Sequence, residues 1–271
     1  MQKNRLKQLW ASGQVALNGW LSIGDAFTAE IMAAQGFDTL TIDIQHGIID
    51  YKDAVAMLQA VRATPVTPIV RVPWLEPGII MKALDAGAYG IICPMVNTRE
   101  QAERFVSYMR YPPRGNRSFG PTRANFAAGA NYAAEANDEI ICLAMIETAE
   151  AMANLDDIVA TPGLDGTYIG PADLTLGVTN GRLAPGFDRE EPEMLDAIKR
   201  VLSASKNAGI RSCLHCGTPE YAAKAAGWGF DLVTIANDVR LLAAASAGSV
   251  NSTRALLGGT TKTAKSKDTG Y

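Results

Sequence analysis

Cys142-Leu143-Ala144-Met145-Ile146-Glu147 and, about twenty residues on, Thr167-Tyr168-Ile169-Gly170-Pro171-Ala172-Asp173 share one plan. Each is a short apolar, β-favouring run that stops abruptly at a carboxylate. Leaving Glu147 and Asp173 ionised among apolar strand ends is costly unless a cation compensates them. Two hard oxygen ligands with open positions remaining suit a divalent metal such as Mg²⁺, Mn²⁺ or Co²⁺. The pair therefore points to a metal-dependent enzyme.

Runs of the same kind recur on both sides of this pair. Candidate strands are Ala16–Trp20, Thr39–Asp43, Pro68–Arg71, Gly90–Cys93, Ile140–Ile146, Gly166–Ile169, Arg211–Leu214 and Leu232–Ile235. Apolar spacing of three and four predicts helices between them at Ala26–Gln35, Tyr51–Ala63, Pro77–Asp85, Thr98–Met109, Ala149–Val159, Glu193–Asn207 and Pro219–Ala226, with Asp238–Ala247 after the last strand. Gly36 and Gly87 follow helix ends, and Thr98 reads as an N-cap. Eight β-α units in about 240 residues is the size of a closed parallel barrel. A doubly wound open sheet would usually need fewer strands and a glycine-rich phosphate turn after the first. The expected fold is thus α/β, a single-domain (β/α)8 TIM barrel over 1–257 with an extra N-terminal helix. The segment 258–271 is polar and expected to be disordered.

Two stretches interrupt the rhythm: Arg110 to Asp138, rich in Pro, Gly, Asn and Ala, and Thr175 to Pro185. Both read as long loops, a common seat of function in barrels. Arg114, Arg117 and Arg123 in the first either meet an anionic substrate tail or anchor the loop or a subunit contact.

Composition narrows the partners. With a formal charge of -3 the chain has no basic footprint for nucleic acid. No apolar run approaches the eighteen or so residues that span a membrane, and the N-terminus lacks a secretory core, so a cytoplasmic location is expected. The four cysteines fall mostly inside strand-like runs and read as buried free thiols. Cys213-Leu214-His215-Cys216 has no second pair to complete a structural zinc site.

Reactive groups in such a barrel gather where strands end. The second strand delivers Asp43-Ile44-Gln45-His46-Gly47, the third ends at Arg71, the fifth at Glu147, and the sixth leads through Gly170-Pro171-Ala172 to Asp173. A metal chelated by a 2-keto acid polarises the carbonyl and eases removal of the C3 proton. Arg71 can supply positive charge to the enolate oxygen, and His46 can move protons to and from the aldehyde. Backbone N–H groups around Gly170–Ala172 can hold the substrate carboxylate. Asp85 reads equally well as a helix-end turn or as an orienting partner for His46. No lysine lies at a predicted strand end, which argues against Schiff-base chemistry.

The motifs DIQHG (43–47), VRVP (70–73), LDAGAYGIICPMV (84–96), RYPPRGNRSFG (110–120), MIET (145–148), LDGTYIGPADL (164–174) and GFDLVTIANDVRLL (229–242) resemble the HpcH/HpaI family of class II, metal-dependent 2-keto-acid aldolases. The resemblance runs from about Gly19 to Ala245. It implies a small-molecule enzyme that reversibly cleaves a 4-hydroxy-2-keto acid to pyruvate, or a close 2-keto acid, and an aldehyde through a metal-bound enolate. It implies metal binding by Glu147 and Asp173, enolate stabilisation by Arg71, and proton transfer by His46 with Asp85 raising its basicity. Ala172 would line the pyruvate site, and the barrels would assemble as trimers or hexamers that exchange their last helix. Gln45 and Met145 depart from the Glu and Gln found in many relatives. A citrate-lyase-like or malyl-thioester lyase uses the same logic but needs a CoA surface, for which no basic groove is evident. A barrel that merely binds a keto acid is the non-enzymatic alternative.

Overall fold

The computed structural model describes residues 1–258. The expected polar tail, from 259 onward, lies outside the described residues. Eight parallel strands close a barrel in sequence order: β1 (Ala16–Leu21), β2 (Thr39–Asp43), β3 (Thr67–Arg71), β4 (Gly90–Cys93), β5 (Ile141–Met145), β6 (Gly166–Ile169), β7 (Arg211–His215) and β8 (Leu232–Asn237). The helices around them are α1 (Arg5–Ala11), α2 (Ala26–Ala33), α3 (Tyr51–Val61), α4 (Pro77–Asp85), α5 (Arg99–Met109), α6 (Thr122–Ala128), α7 (Tyr132–Glu139), α8 (Ala149–Ala153), α9 (Leu155–Val159), α10 (Pro171–Thr179), α11 (Pro192–Asn207), α12 (Pro219–Trp228) and α13 (Asp238–Leu256). Strands β2, β4, β5 and β6 are buried at every position, which is why they read as unbroken apolar runs rather than alternating ones.

Two packed layers result. Ile69, Ile92, Ile141, Leu143, Tyr168 and Leu232 fill the barrel axis, while a larger cluster joins the outward strand faces to the helices. Helix α1 closes the bottom. Asn4 caps it by accepting from the Leu6 N–H at 3.0 Å, and Leu6 and Trp10, one turn apart, enter the axial core. Gly36 and Gly87 close α2 and α4 with φ of 90° and 107°, as expected of left-handed stops. The Thr98 hydroxyl caps α5 through the Gln101 N–H.

Three expectations change. The segment Ala149–Val159 is two short helices divided at Asn154, whose amide donates to the Asn97 carbonyl at 2.9 Å. The insertion 110–138 contains α6 and α7. Its arginines are anchors: Arg117 pairs with Asp85, Arg110 with Asp165, Arg114 with Asp138, and Arg123 donates to the Ala86 carbonyl. The stretch from Thr175 begins inside α10, and its hydroxyls turn back onto the helix. Thr175 donates to the Pro171 carbonyl and Thr179 to that of Thr175. All four cysteines are buried and free, and burial pushes their thiols up. Among the described residues no helix is long and apolar enough to cross a membrane.

Candidate active site

Parallel register sets Asp43, the last residue of β2, directly beside Arg71, the last of β3. Their side chains complete the match: Arg71 Nε donates to Asp43 Oδ1 at 2.8 Å and Nη2 to Oδ2 at 2.6 Å. Both are buried, so this fork-on-fork pair fixes the guanidinium plane. Trp20 covers the pair, its ring centroid 4.8 Å from Arg71 Cζ and its Nε1 donating to Asp43 Oδ2. Arg71 holds the Asp43 carboxyl below its ordinary range despite burial, which alone would raise it. Asp43 also accepts from the Gln45 and His46 N–H groups, tying the turn that carries His46 to the same carboxylate.

Glu147 stands two residues beyond β5 and is 2% exposed. Oε1 accepts from the Met95 N–H at 2.8 Å, and Met95 holds a φ of 55° in that turn. Oε2 has no hydrogen-bond donor among the described residues, nor has either oxygen of Asp173. Asp173 sits in the first turn of α10, after Gly170 as N-cap and Pro171, where helix N–H groups favour negative charge. Burial, with the charge of Asp173 added, pushes the Glu147 carboxyl up from 4.5 to about 7. A Cβ on Gly170 would lie 2.6 Å from Glu147 Oε2 and 2.9 Å from Met145 Cε, so only glycine leaves Oε2 its space.

His46 lies in the exposed turn after β2. Burial and then Arg71 lower its pKa below 6.5, while Asp43 and Asp173 pull it back up. Its ring is therefore neutral, and able to accept a proton, at pH 7. The contact the structure gives Asp85 is with Arg117, at 2.5 Å. Beside His46, the Gln45 Oε1 is buried with no donor among the described residues.

Arg71, Met145, Gly170, Ala172 and Asp173 line one cavity of about 610 Å³ at the mouth of the barrel. Phe187, His215 and residues of α13 line it too. Asp43, Trp20, Met95 and His215 did not emerge from the sequence as site residues. For Asp43 the signal was available, since neighbouring parallel strands ending at one level put DIQHG beside VRVP.

A divalent ion fits what is present. The charge of Asp173 acts on Glu147, and among the described residues three of the four oxygens of these two carboxylates lack a donor. Among the described residues no group of three or more His, Cys, Asp or Glu could enclose a metal. The remaining positions would fall to water or substrate, as hard divalent ions accept.

Residues 18–245 match the family model for HpcH/HpaI aldolase/citrate lyase. The hydroxypyruvate/pyruvate aldolase of Rhizorhabdus wittichii is 43% identical, the match covering 93% of this chain and all of that one. The 4-hydroxy-2-oxovalerate aldolase of Novosphingobium aromaticivorans is 42% identical over 77% of this chain and 80% of its own. A crystal structure of an HpcH/HpaI aldolase/citrate lyase family protein from Burkholderia cenocepacia superposes with a TM-score of 0.85 at 32% identity, covering 93% of this chain and 100% of that one. The carboxylate pair, the locked arginine and the closed barrel thus stand in a chain that belongs to the HpcH/HpaI aldolase/citrate lyase family.

Proposed function

We propose that this chain is a divalent-metal-dependent aldolase that reversibly cleaves a 4-hydroxy-2-keto acid to pyruvate, or a close 2-keto acid, and an aldehyde. The observation that carries it is a pair of carboxylates short of donors among the described residues: Asp173 lines the cavity with Arg71, and its charge acts on the buried Glu147. Glu147 and Asp173 would hold the ion, which when bound supplies Lewis-acid polarisation of the keto oxygen.

The chain's own groups do the rest. The first-turn N–H groups of Ala172 and Asp173 receive the substrate carboxylate; Pro171 has none to give. His46 takes the C4 hydroxyl proton as the C3–C4 bond breaks and the aldehyde departs. The bonding pair passes toward the keto oxygen, and Arg71, unable to rotate away from Asp43, supplies positive charge there. The proton held on His46, passed on directly or through water, then goes to C3, which releases pyruvate and restores the neutral ring. Asp85 would act on His46 only indirectly, through the α4 end that Arg117 fixes.

Helix α13 leaves Leu241, Leu242, Val250 and Leu256 exposed, and these are the residues a second copy would cover in a trimer or hexamer. The cytoplasm is the expected location.

The test is exchange of pyruvate methyl protons into D2O, which needs no aldehyde. Exchange with Mg²⁺, Mn²⁺ or Co²⁺ and none with chelator is the expected result. Metal-independent exchange, or turnover of malyl-CoA in preference to any hydroxy-keto acid, overturns the reading.

A further inference from the structure

His215, the last residue of β7, takes no part in the proton transfer above, yet its surroundings are built. Phe187 stacks on the imidazole with centroids 4.7 Å apart and 18° between planes. Trp20 meets it edge-on at 4.7 Å, and Nδ1 lies 3.0 Å from Tyr168 Oη. Nε2 has no partner among the described residues but is not among their sealed, unsatisfied atoms. Since His215 lines the 610 Å³ cavity, the Nε2 edge is the one that opens into it.

The network behind the ring decides which nitrogen carries the proton. Thr39 and Thr41 hydroxyls lie 2.7 and 3.1 Å from Asn18 Oδ1, and Asn18 Nδ2 lies 2.9 Å from Thr234 Oγ1. Thr234 Oγ1 in turn is 2.6 Å from Tyr168 Oη. All of these threonines, Asn18 and Tyr168 are 0% exposed, so each hydroxyl proton needs an acceptor inside the barrel. One direction satisfies them all. Both threonines donate to Asn18, Asn18 donates to Thr234, Thr234 to Tyr168, and Tyr168 to His215 Nδ1. Reversing the chain turns the Asn18 amide and strands the protons of Thr39 and Thr41, for which no other acceptor lies in reach among the described residues. With Nδ1 accepting, the proton belongs on Nε2. Burial and the Arg71 charge push the imidazole down to about 3, so no second proton joins it near neutrality.

We propose that His215 is a specificity-determining residue that donates its Nε2–H to an oxygen on the aldehyde-derived half of the substrate. The assignment to that half follows from position. Arg71, which meets the keto acid, packs on Trp20, and Trp20 meets the imidazole edge-on. Phe187, with Arg240 over its ring, stacks on the imidazole, so the contacts run outward from the keto-acid end. The favoured class is a hydroxyaldehyde rather than a hydrocarbon aldehyde, because a buried donor left without an acceptor is costly. The inference rests on the aldolase reading.

The experiment compares glycolaldehyde with propanal, which match in heavy atoms and differ by one oxygen, as partners for pyruvate. The readout is the ratio of their kcat/KM values. His215→Phe keeps the stacking ring and loses the donor, and should lower that ratio about tenfold. His215→Gln, whose amide replaces the Nε2 donor, should return it to within about threefold. An unchanged ratio in His215→Phe, or equal losses in both variants, overturns the proposal. Should His215→Phe fail to fold, ¹⁵N spectra of the wild-type imidazoles decide. A protonated Nε2 with bare Nδ1 on His215 supports it, and a protonated Nδ1 refutes it. Wild-type protein that neither exchanges pyruvate protons nor turns over either aldehyde defeats the aldolase reading instead, and this inference with it.

Discussion

Replacing Glu147 by Gln should stabilise the metal-free protein at alkaline pH, although it removes a residue proposed to hold the ion. In the folded chain burial and Asp173 raise the Glu147 carboxyl from 4.5 to about 7. The native state thus holds a proton that the unfolded chain has already released. Between those two values the unfolded state binds fewer protons, so stability falls as pH rises and levels off above about 7. At about 1.4 kcal/mol per pH unit, the loss amounts to roughly 3 kcal/mol for this one side chain. The amide of Gln carries no charge to bury and its oxygen can still accept from the Met95 N–H. Urea denaturation in chelator from pH 5 to 8 is the assay. The two proteins should match near pH 5 and diverge until Glu147→Gln leads by about 2–3 kcal/mol at pH 8. Added Mn²⁺ should close the gap by stabilising only the wild type. Parallel curves across the whole range would refute the reasoning, since they would mean that Glu147 is not desolvated.

Asp43→Asn breaks the buried fork on Arg71 and removes the negative charge that faces the guanidinium there. It should cost about 3–5 kcal/mol in stability, with kcat down about 10²–10³-fold, while Asp43→Glu retains part of both; wild-type kinetics in Asp43→Asn would contradict the lock. For His46, lowered below 6.5 by burial and Arg71, the neutral ring is the proposed base. The acid limb of kcat/KM for cleavage should therefore fall below pH 6.5 and vanish in His46→Gln, with activity down about 10²–10⁴-fold. A limb above 6.5 would contradict the assignment. Leu241→Asp with Leu242→Asp on α13 should shift the native mass by light scattering toward the monomer; an unchanged mass would show that this face is not an interface.

The strands were legible because a parallel barrel buries them on both faces, so β2, β4 and β6 appear in the sequence as apolar runs with the observed ends. Helices were legible where a strong apolar face or a cap marks them, as in α4 and α5. Helices α6 and α7 escaped for the opposite reason. They are short, rich in Ala and Asn, and start without a side-chain cap bond. In α10, Thr175, Gly177 and Thr179 disfavour helix by propensity and are held by tertiary packing instead. The C-terminal helix runs to Leu256, well past the expected Ala247, through a stretch with little burial to leave a pattern. At the site, the carboxylates and Arg71 stood out as charges ending apolar runs. The Thr39–Asn18–Thr234–Tyr168 chain could not, because its members are ordinary barrel residues until register brings β1, β2, β6 and β8 together around one axis.

The central claim is that Glu147 and Asp173 jointly hold one divalent ion at the mouth of the barrel. Anomalous diffraction from crystals grown with Mn²⁺ and pyruvate tests it directly. The account predicts a single strong peak within coordination distance of both carboxylates and of the pyruvate oxygens. Manganese bound elsewhere, with Glu147 still holding only the Met95 N–H, would contradict it.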